Sequence, residues 1–263
     1  MFIKKIKMTF MKRNYLYLFA LLLIVAACKK NTYNLTDREG VDGKALVKLG
    51  LFNMTAAATN VLIYNNGERI SGAIASPYPY PGGGYNTGGS SNGDYFAVTP
   101  GENHFELYTT NPNTANLITK IFETSQSVEA NNRFTIYIAD TGATTVAVKT
   151  LDNATAPDSG FARIRFINLI PNSGSVDFYK GNTLLKGGIS YKAFTDFFDV
   201  PAVTPDSFSI RTAGSAPGSA LSALAYYRFT PNINQRIYSF LCRGYLGATD
   251  ALRKPNVSIS VNQ

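Results

Sequence analysis

Apolar and polar residues alternate along much of this chain with the period of two expected of a β-strand that buries one face. Val47, Leu49 and Leu51 alternate with Lys48 and Gly50, which predicts a half-buried strand. Residues 60–64 (NVLIY) are a β-rich run closed by Asn65-Asn66-Gly67, a hairpin-type turn. The pattern continues at 95–98, 105–108, 134–138 and 144–149, and the Gly, Pro and Asn clusters between the runs fall at intervals near those of sandwich proteins. Residues 112–124 are ambiguous. The spacing of Leu117, Lys120 and Ile121 allows a short helical turn, while the β-branched content suits a strand equally. In the second half Ala162, Ile164 and Phe166 face one way and Arg163 and Arg165 the other, and strands are predicted at 176–179, 194–200, 208–211, 238–242 and 257–261.

The two halves are copies. An offset of 115 places Leu49 on Ile164, Leu51 on Phe166, Val61 on Val176, Ile63 on Phe178, Gly72 on Gly187 and Ile74 on Ile189 without a gap, a register that chance matches do not keep. An offset of 104 places Phe134 on Tyr238, Ile136 on Phe240 and Ile138 on Cys242, so the thiol takes an inward position and is expected in the core. The sequence therefore predicts an all-β fold of two tandem antiparallel immunoglobulin-like β-sandwiches, over residues 44–156 and 161–263. Beyond Ile74 the offset falls to 101, with Phe96 on Phe197 and Pro100 on Pro201, which gives the first copy a 14-residue insertion. In or beside it, Tyr78, Tyr80, Tyr85 and Tyr95 offer rings for stacking on a sugar or packing on a partner; the competing reading is a surface insertion without a ligand.

Charge changes the picture once the start of the chain is set apart. Lys4, Lys5, Lys7, Lys12 and Arg13 precede a 13-residue apolar run, 15–27, that ends in Val25-Ala26-Ala27-Cys28. The run is short of the roughly 20 residues a membrane-crossing helix needs. Its order of charged, apolar and small zones predicts a lipoprotein signal peptide over 1–27, lipid on Cys28 and a polar tether over 28–43. The formal charge of +8 then falls to +3, from 20 basic and 17 acidic residues. No basic cluster extends beyond 29–30 and 253–254, so nucleic acid is not an expected partner. With Cys28 lipidated, Cys242 has no disulfide partner, and packed cores must hold the fold.

The runs ARIRFIN (162–168), SVDFY (175–179), KGGISYKAFTDFFDVP (186–201) and Phe208-Ser209-Ile210 resemble a bacterial domain of unknown function, number 4397, with the first copy a degenerate second instance. Val203 stands in place of that family's turn glycine, and Leu62 stands where the second copy has Asp177. The resemblance implies a small all-β domain, often in tandem, in cell-envelope proteins, and no catalytic residues to carry over. The Cys-Lys-Lys leader and the Tyr- and Asn-rich composition also resemble Bacteroidetes lipoproteins.

Catalytic constellations are sparse. The single histidine, His104, lies in 102–108, where Phe105 and Leu107 take the core side and His104 and Glu106 the solvent side. No His-based metal cluster and no cofactor motif follows, since Gly82-Gly83-Gly84 lacks the Lys-Ser/Thr of a phosphate loop. Asp196 and Asp199 flank two phenylalanines as solvated carboxylates. The expectation is a non-catalytic binding or structural module of the cell envelope, at the outer membrane, with the membrane as partner through Cys28 and a glycan or envelope protein as ligand. The alternative is a glycan-active hydrolase using Asp94, Glu102 and Glu106 near the first-copy loop, which requires a cleft holding two carboxylates.

Overall fold

The computed structural model describes residues 41–52, 60–72, 74–75, 95–110, 117–139, 144–202, 206–216, 225–229, 235–249 and 253–262. Val41–Gln263 form one compact unit. Its first half contains β1 (Ala45–Phe52), β2 (Asn60–Asn65), β3 (Glu68–Arg69), β4 (Ile74–Ala75), β5 (Phe96–Val98), β6 (Gly101–Thr110), β7 (Leu117–Val128), β8 (Arg133–Ala139) and β9 (Val146–Leu151). The second contains β10 (Phe161–Asn168), β11 (Ser175–Lys180), β12 (Thr183–Ser190), β13 (Phe198–Pro201), β14 (Asp206–Thr212), β15 (Ala225–Phe229), β16 (Ile237–Arg243) and β17 (Asn256–Val261). Residues 117–128 are thus strand, paired along the length of β6, with Ile121 and Phe122 set against the core. Asn66 and Gly67 both take positive φ, as the tight hairpin between β2 and β3 requires.

Each half is a two-sheet sandwich with the same strand order. In the first, β5-β1-β8-β9 faces β3-β2-β6-β7, with β4 beside β2; in the second, β13-β10-β16-β17 faces β12-β11-β14-β15. Val47, Leu49, Phe134 and Ile136 pack on Val61, Ile63, Phe105 and Leu107 to make one core. Ile164, Phe166, Tyr238 and Phe240 pack on Val176, Phe178, Phe208 and Ile210 to make the other. Neither sandwich is antiparallel throughout, because β1 runs parallel to β8 and β10 parallel to β16. Parallel neighbours cannot be joined by a hairpin, and here the chain traverses the opposite sheet before returning.

The strand pairings correct the alignment of the copies at two places. Val47 pairs with Phe134, and Ile164 with Tyr238, so β1 matches β10 at an offset of 117 and not 115. Loop hydrogen bonds agree: Asn131 N donates to Lys44 O at 2.8 Å and Gln235 N to Phe161 O at 2.7 Å. The offset of 115 holds from β2 through β4. At β5, Phe96 opposes Val47 while Phe198 opposes Ile164, so Phe96 matches Phe198 and not Phe197, and the insertion is one residue shorter than the sequence reading made it.

The second correction concerns the faces turned away from the cores. Lys48 and Arg165 were expected on the open side of half-buried strands, yet each is only 2% exposed. The cause is a third apolar contact: Tyr137, Ala139 and Val148 of the first sandwich pack on Ile167, Leu169 and Leu241 of the second. The β1-containing and β10-containing sheets therefore lie back to back, and β8 and β16 are covered on both faces.

Candidate binding groove

The seam between the sandwiches is organised by two basic side chains at matching positions, Lys48 on β1 and Arg165 on β10. Arg165 donates from Nε to Ser239 Oγ at 2.7 Å, from Nη1 to Leu151 O at 2.8 Å and from Nη2 to Asp152 Oδ1 in a buried ion pair. The same carboxylate accepts from Tyr95 Oη at 2.7 Å, from Thr135 Oγ1 and from Thr150 Oγ1. Such density of donors is what a fully buried charge requires. Lys48 reaches the other way, donating to Val261 O at 2.6 Å and Ser260 Oγ at 3.3 Å. Leu151 and Val261 are matching positions, since Asp152 N bonds Arg133 O as Asn262 N bonds Ile237 O. Lys48 Nζ sits 4.5 Å from the Tyr95 ring and Arg165 Cζ 4.7 Å from the matching Phe197 ring. The seam thus has an internal two-fold relation: each sandwich gives a cation to the carbonyl that ends the last strand of the other.

At one end of the seam a groove of ≈ 870 Å³ opens, within the size range of small-molecule sites. Asn131, Arg133, Asp152, Asn153, Ala154 and Thr155 line one side, and Arg163, Phe197, Phe198 and Asp199 the other. Arg163 grips Asp199 through two parallel bonds, Nε to Oδ1 at 2.7 Å and Nη2 to Oδ2 at 2.9 Å. Its Nη1 donates to Thr155 O and Oγ1, both at 2.9 Å, which fixes the segment joining the sandwiches. The Arg163 guanidinium holds the Asp199 carboxyl below the usual carboxylate range. Asn153 accepts from Arg133 N at 2.7 Å and donates to Asn132 Oδ1 at 2.7 Å. The Arg133 guanidinium lies 6.0 Å from the Tyr95 ring, and among the described residues no carboxylate pairs with it.

Of the residues singled out from sequence, Cys28, Tyr78, Tyr80, Tyr85 and Asp94 lie outside the described residues. Tyr95 is described, and its hydroxyl is turned to Asp152, where burial first and that carboxylate second push its pKa upward. Cys242 is fully buried with Sγ 3.1 Å from Asn168 Oδ1, and burial pushes its thiol up to about 12. Glu102 is exposed. Glu106 belongs to a cross-strand cluster on β6 and β7 with His104 and Glu123, whose ligand atoms all lie within 4.8 Å of one another. Lys120 already supplies a cation there, 3.3 Å from Glu106 and 2.5 Å from Glu123, and holds the Glu123 carboxyl low. Arg163 and Asp199 read from sequence only as solvent-facing polar positions, and no local pattern brings them together with Arg133 of β8 or with the turn and connecting residues 131 and 152–155.

No curated protein matches the chain. A solved leucine-rich repeat protein from Bacteroides thetaiotaomicron VPI-5482 is similar at 15% identity over 83% of this chain and 26% of that one, with a TM-score of 0.20. This chain thus spans about a quarter of that protein's length. A putative cell adhesion protein from Bacteroides fragilis NCTC 9343 is similar at 7% identity over 83% of this chain and 97% of that one, with a TM-score of 0.18. The family described as Domain of unknown function (DUF4397) matches residues 47–179, from β1 through the first copy and into β11 of the second. With half of the sequence under that match, the chain belongs to the domain of unknown function 4397 family.

Proposed function

We propose that the protein is a non-catalytic binding or structural module of the cell envelope, anchored through lipid on Cys28, with its ligand surface at the groove. The observation that supports this most is that both carboxylates at the groove are already paired: Asp152 with Arg165, and Asp199 with Arg163 through two bonds. A carboxylate whose oxygens are taken up by charge-assisted bonds from a guanidinium is not free to take a proton from an attacking water. The surrounding amides, hydroxyl and guanidinium groups are held by one another and by the backbone, the preorganisation that binding favours. The anchor follows from the order of charged, apolar and small zones ahead of Cys28.

One experiment addresses the binding reading directly. The mature chain is screened against soluble glycans, peptidoglycan fragments and envelope protein, with retention and bond cleavage followed together. Saturable retention without product is expected. Turnover that disappears in Glu102→Gln or Glu106→Gln would instead establish the hydrolase, and turnover that disappears in Asp199→Asn would place a catalytic carboxylate at the groove. Labelled fatty acid is expected in the wild type and absent from Cys28→Ala.

A further inference from the structure

We infer that the groove takes a saccharide bearing an oxyanion, with Arg133 receiving the anionic group. This rests on the groove being the binding site. The duplicated scaffold provides an internal control. The two-fold relation that exchanges Lys48 and Arg165 maps this groove onto a second place on the seam, where Ile237, Leu46, Ala97 and Tyr95 stand for Arg133, Arg163, Asp199 and Phe197. There Ile237 is buried and Leu46 half-buried. Closing the seam therefore does not require charge at these positions, and the groove has acquired it.

Part of that charge has a structural task. Arg163 and Asp199 neutralise each other and pin the joining segment at Thr155. Arg165 and Asp152 likewise balance inside the seam. Arg133 remains, an exposed guanidinium on the groove wall with no carboxylate paired to it among the described residues. A planar guanidinium receives a carboxylate or phosphate through two parallel bonds, so the net positive charge selects a ligand with one such group. The rest of the lining identifies the body of the ligand. Asn131, Asn153 and Thr155 offer amide and hydroxyl groups suited to sugar hydroxyls, while half-buried Phe197 brings an aromatic side chain to the wall. A volume of ≈ 870 Å³ has room for more than one sugar ring.

The test is calorimetric titration of the mature chain with four probes: a uronic-acid oligosaccharide, a phosphorylated oligosaccharide, a neutral oligosaccharide of equal length and inorganic phosphate. At least one acidic oligosaccharide is expected to bind about tenfold or more tightly than the neutral one, a difference of about 1.4 kcal/mol. Whichever acidic probe binds better identifies the oxyanion. Arg133→Gln is expected to abolish the preference and Arg133→Lys to keep part of it, both with an unchanged melting temperature because the side chain is exposed. Ala154→Trp, which fills the groove, is expected to abolish binding of every saccharide. If Ala154→Trp blocks binding but Arg133→Gln leaves the preference intact, or if the neutral probe binds as well as the acidic ones, the oxyanion inference is wrong and the groove survives. If Ala154→Trp changes nothing, the site lies elsewhere and both readings fall. Binding of phosphate alone, with no saccharide bound, also overturns the inference.

Discussion

The two sandwiches share strand order but fill their cores with different side chains. Leu49, Ile63, Phe105 and Ile136 in the first occupy the positions of Phe166, Phe178, Phe208 and Phe240 in the second. In the second these rings form one contiguous cluster, with centroids 4.4 Å apart for the stacked Phe166 and Phe178 and 4.5 Å for the tilted Phe208 and Phe240. The topology survives the exchange of three aliphatic side chains for rings because which face is apolar decides the pairing, while volume has only to be matched locally. The seam carries the same contrast. Lys48 and Arg165 share a position, but Lys48 bonds a carbonyl and a hydroxyl, whereas Arg165 neutralises a buried carboxylate. The backbone relation is two-fold, and the Arg165–Asp152 ion pair lies on one side of it.

The largest effect expected is at that imbalance. Arg165→Met removes the guanidinium from the buried Asp152 carboxyl and leaves it hydroxyl donors, a loss of about 3–5 kcal/mol. Lys48→Met leaves one carbonyl short of a donor and is expected to cost about 1–3 kcal/mol. Urea unfolding of both variants measures the difference, and equal losses would show that the two sides contribute alike. Adding Asp152→Leu to Arg165→Met should recover much of the stability, since it removes the stranded carboxyl.

Core exchange comes next in size. Phe178, fully buried and within 5.7 Å of three other rings, is expected to cost about 3–5 kcal/mol on change to Ala. Its counterpart Ile63→Phe introduces the ring into a core built around smaller side chains, and overpacking there is expected to cost about 1–3 kcal/mol. A neutral Ile63→Phe would mean that the first core has room for the second core's residue, and the contrast between them would lose its meaning.

Much of the fold was legible because strand parity is. The alternation at β1, β2, β10 and β11 marked both cores, and the duplication reduced two folding problems to one. The same parity hid the misalignment of β1: a slip of two residues leaves every side chain on its original face, so Leu49 fits Ile164 by pattern as well as Val47 does. Burial on both faces was also encoded, in the nearly unbroken runs RFTIYIA and IYSFLCR, where Thr135 and Ser239 are small enough to be covered. Lys48 and Arg165 read as solvent-facing because their partners are supplied by the other sandwich, and no local pattern brings Asp152 to Arg165. Glu123 joined His104 and Glu106 only once residues 117–128 were known to pair with β6. The groove was invisible for a related reason: its lining joins strand residues of both sandwiches, Arg133, Arg163, Phe198 and Asp199, to a turn and a connection, and no local period reports which of them meet.

The smallest expected effect tests the rim of the seam where Arg163 and Asp199 form an exposed ion pair. Asp199 pairs with Arg163, whereas its counterpart Ala97 has no charge to offer. Because Arg163 lowers the Asp199 pKa in the folded protein, the carboxylate stabilises the fold fully above its unfolded value of about 4. That contribution fades as pH falls through the lower folded value. The Asp199 side chain is 37% exposed, so solvent screening limits the pair to about 0.2–1 kcal/mol. The stability difference between wild type and Asp199→Asn should be flat from about pH 7 to 5 and shrink below about pH 4. Raising the salt concentration should reduce it as well, because the pair is open to solvent. A difference that widens in acid would reverse the sign and show that Asp199 is destabilised by its surroundings, which would remove Arg163 from the role of fixing this wall of the groove.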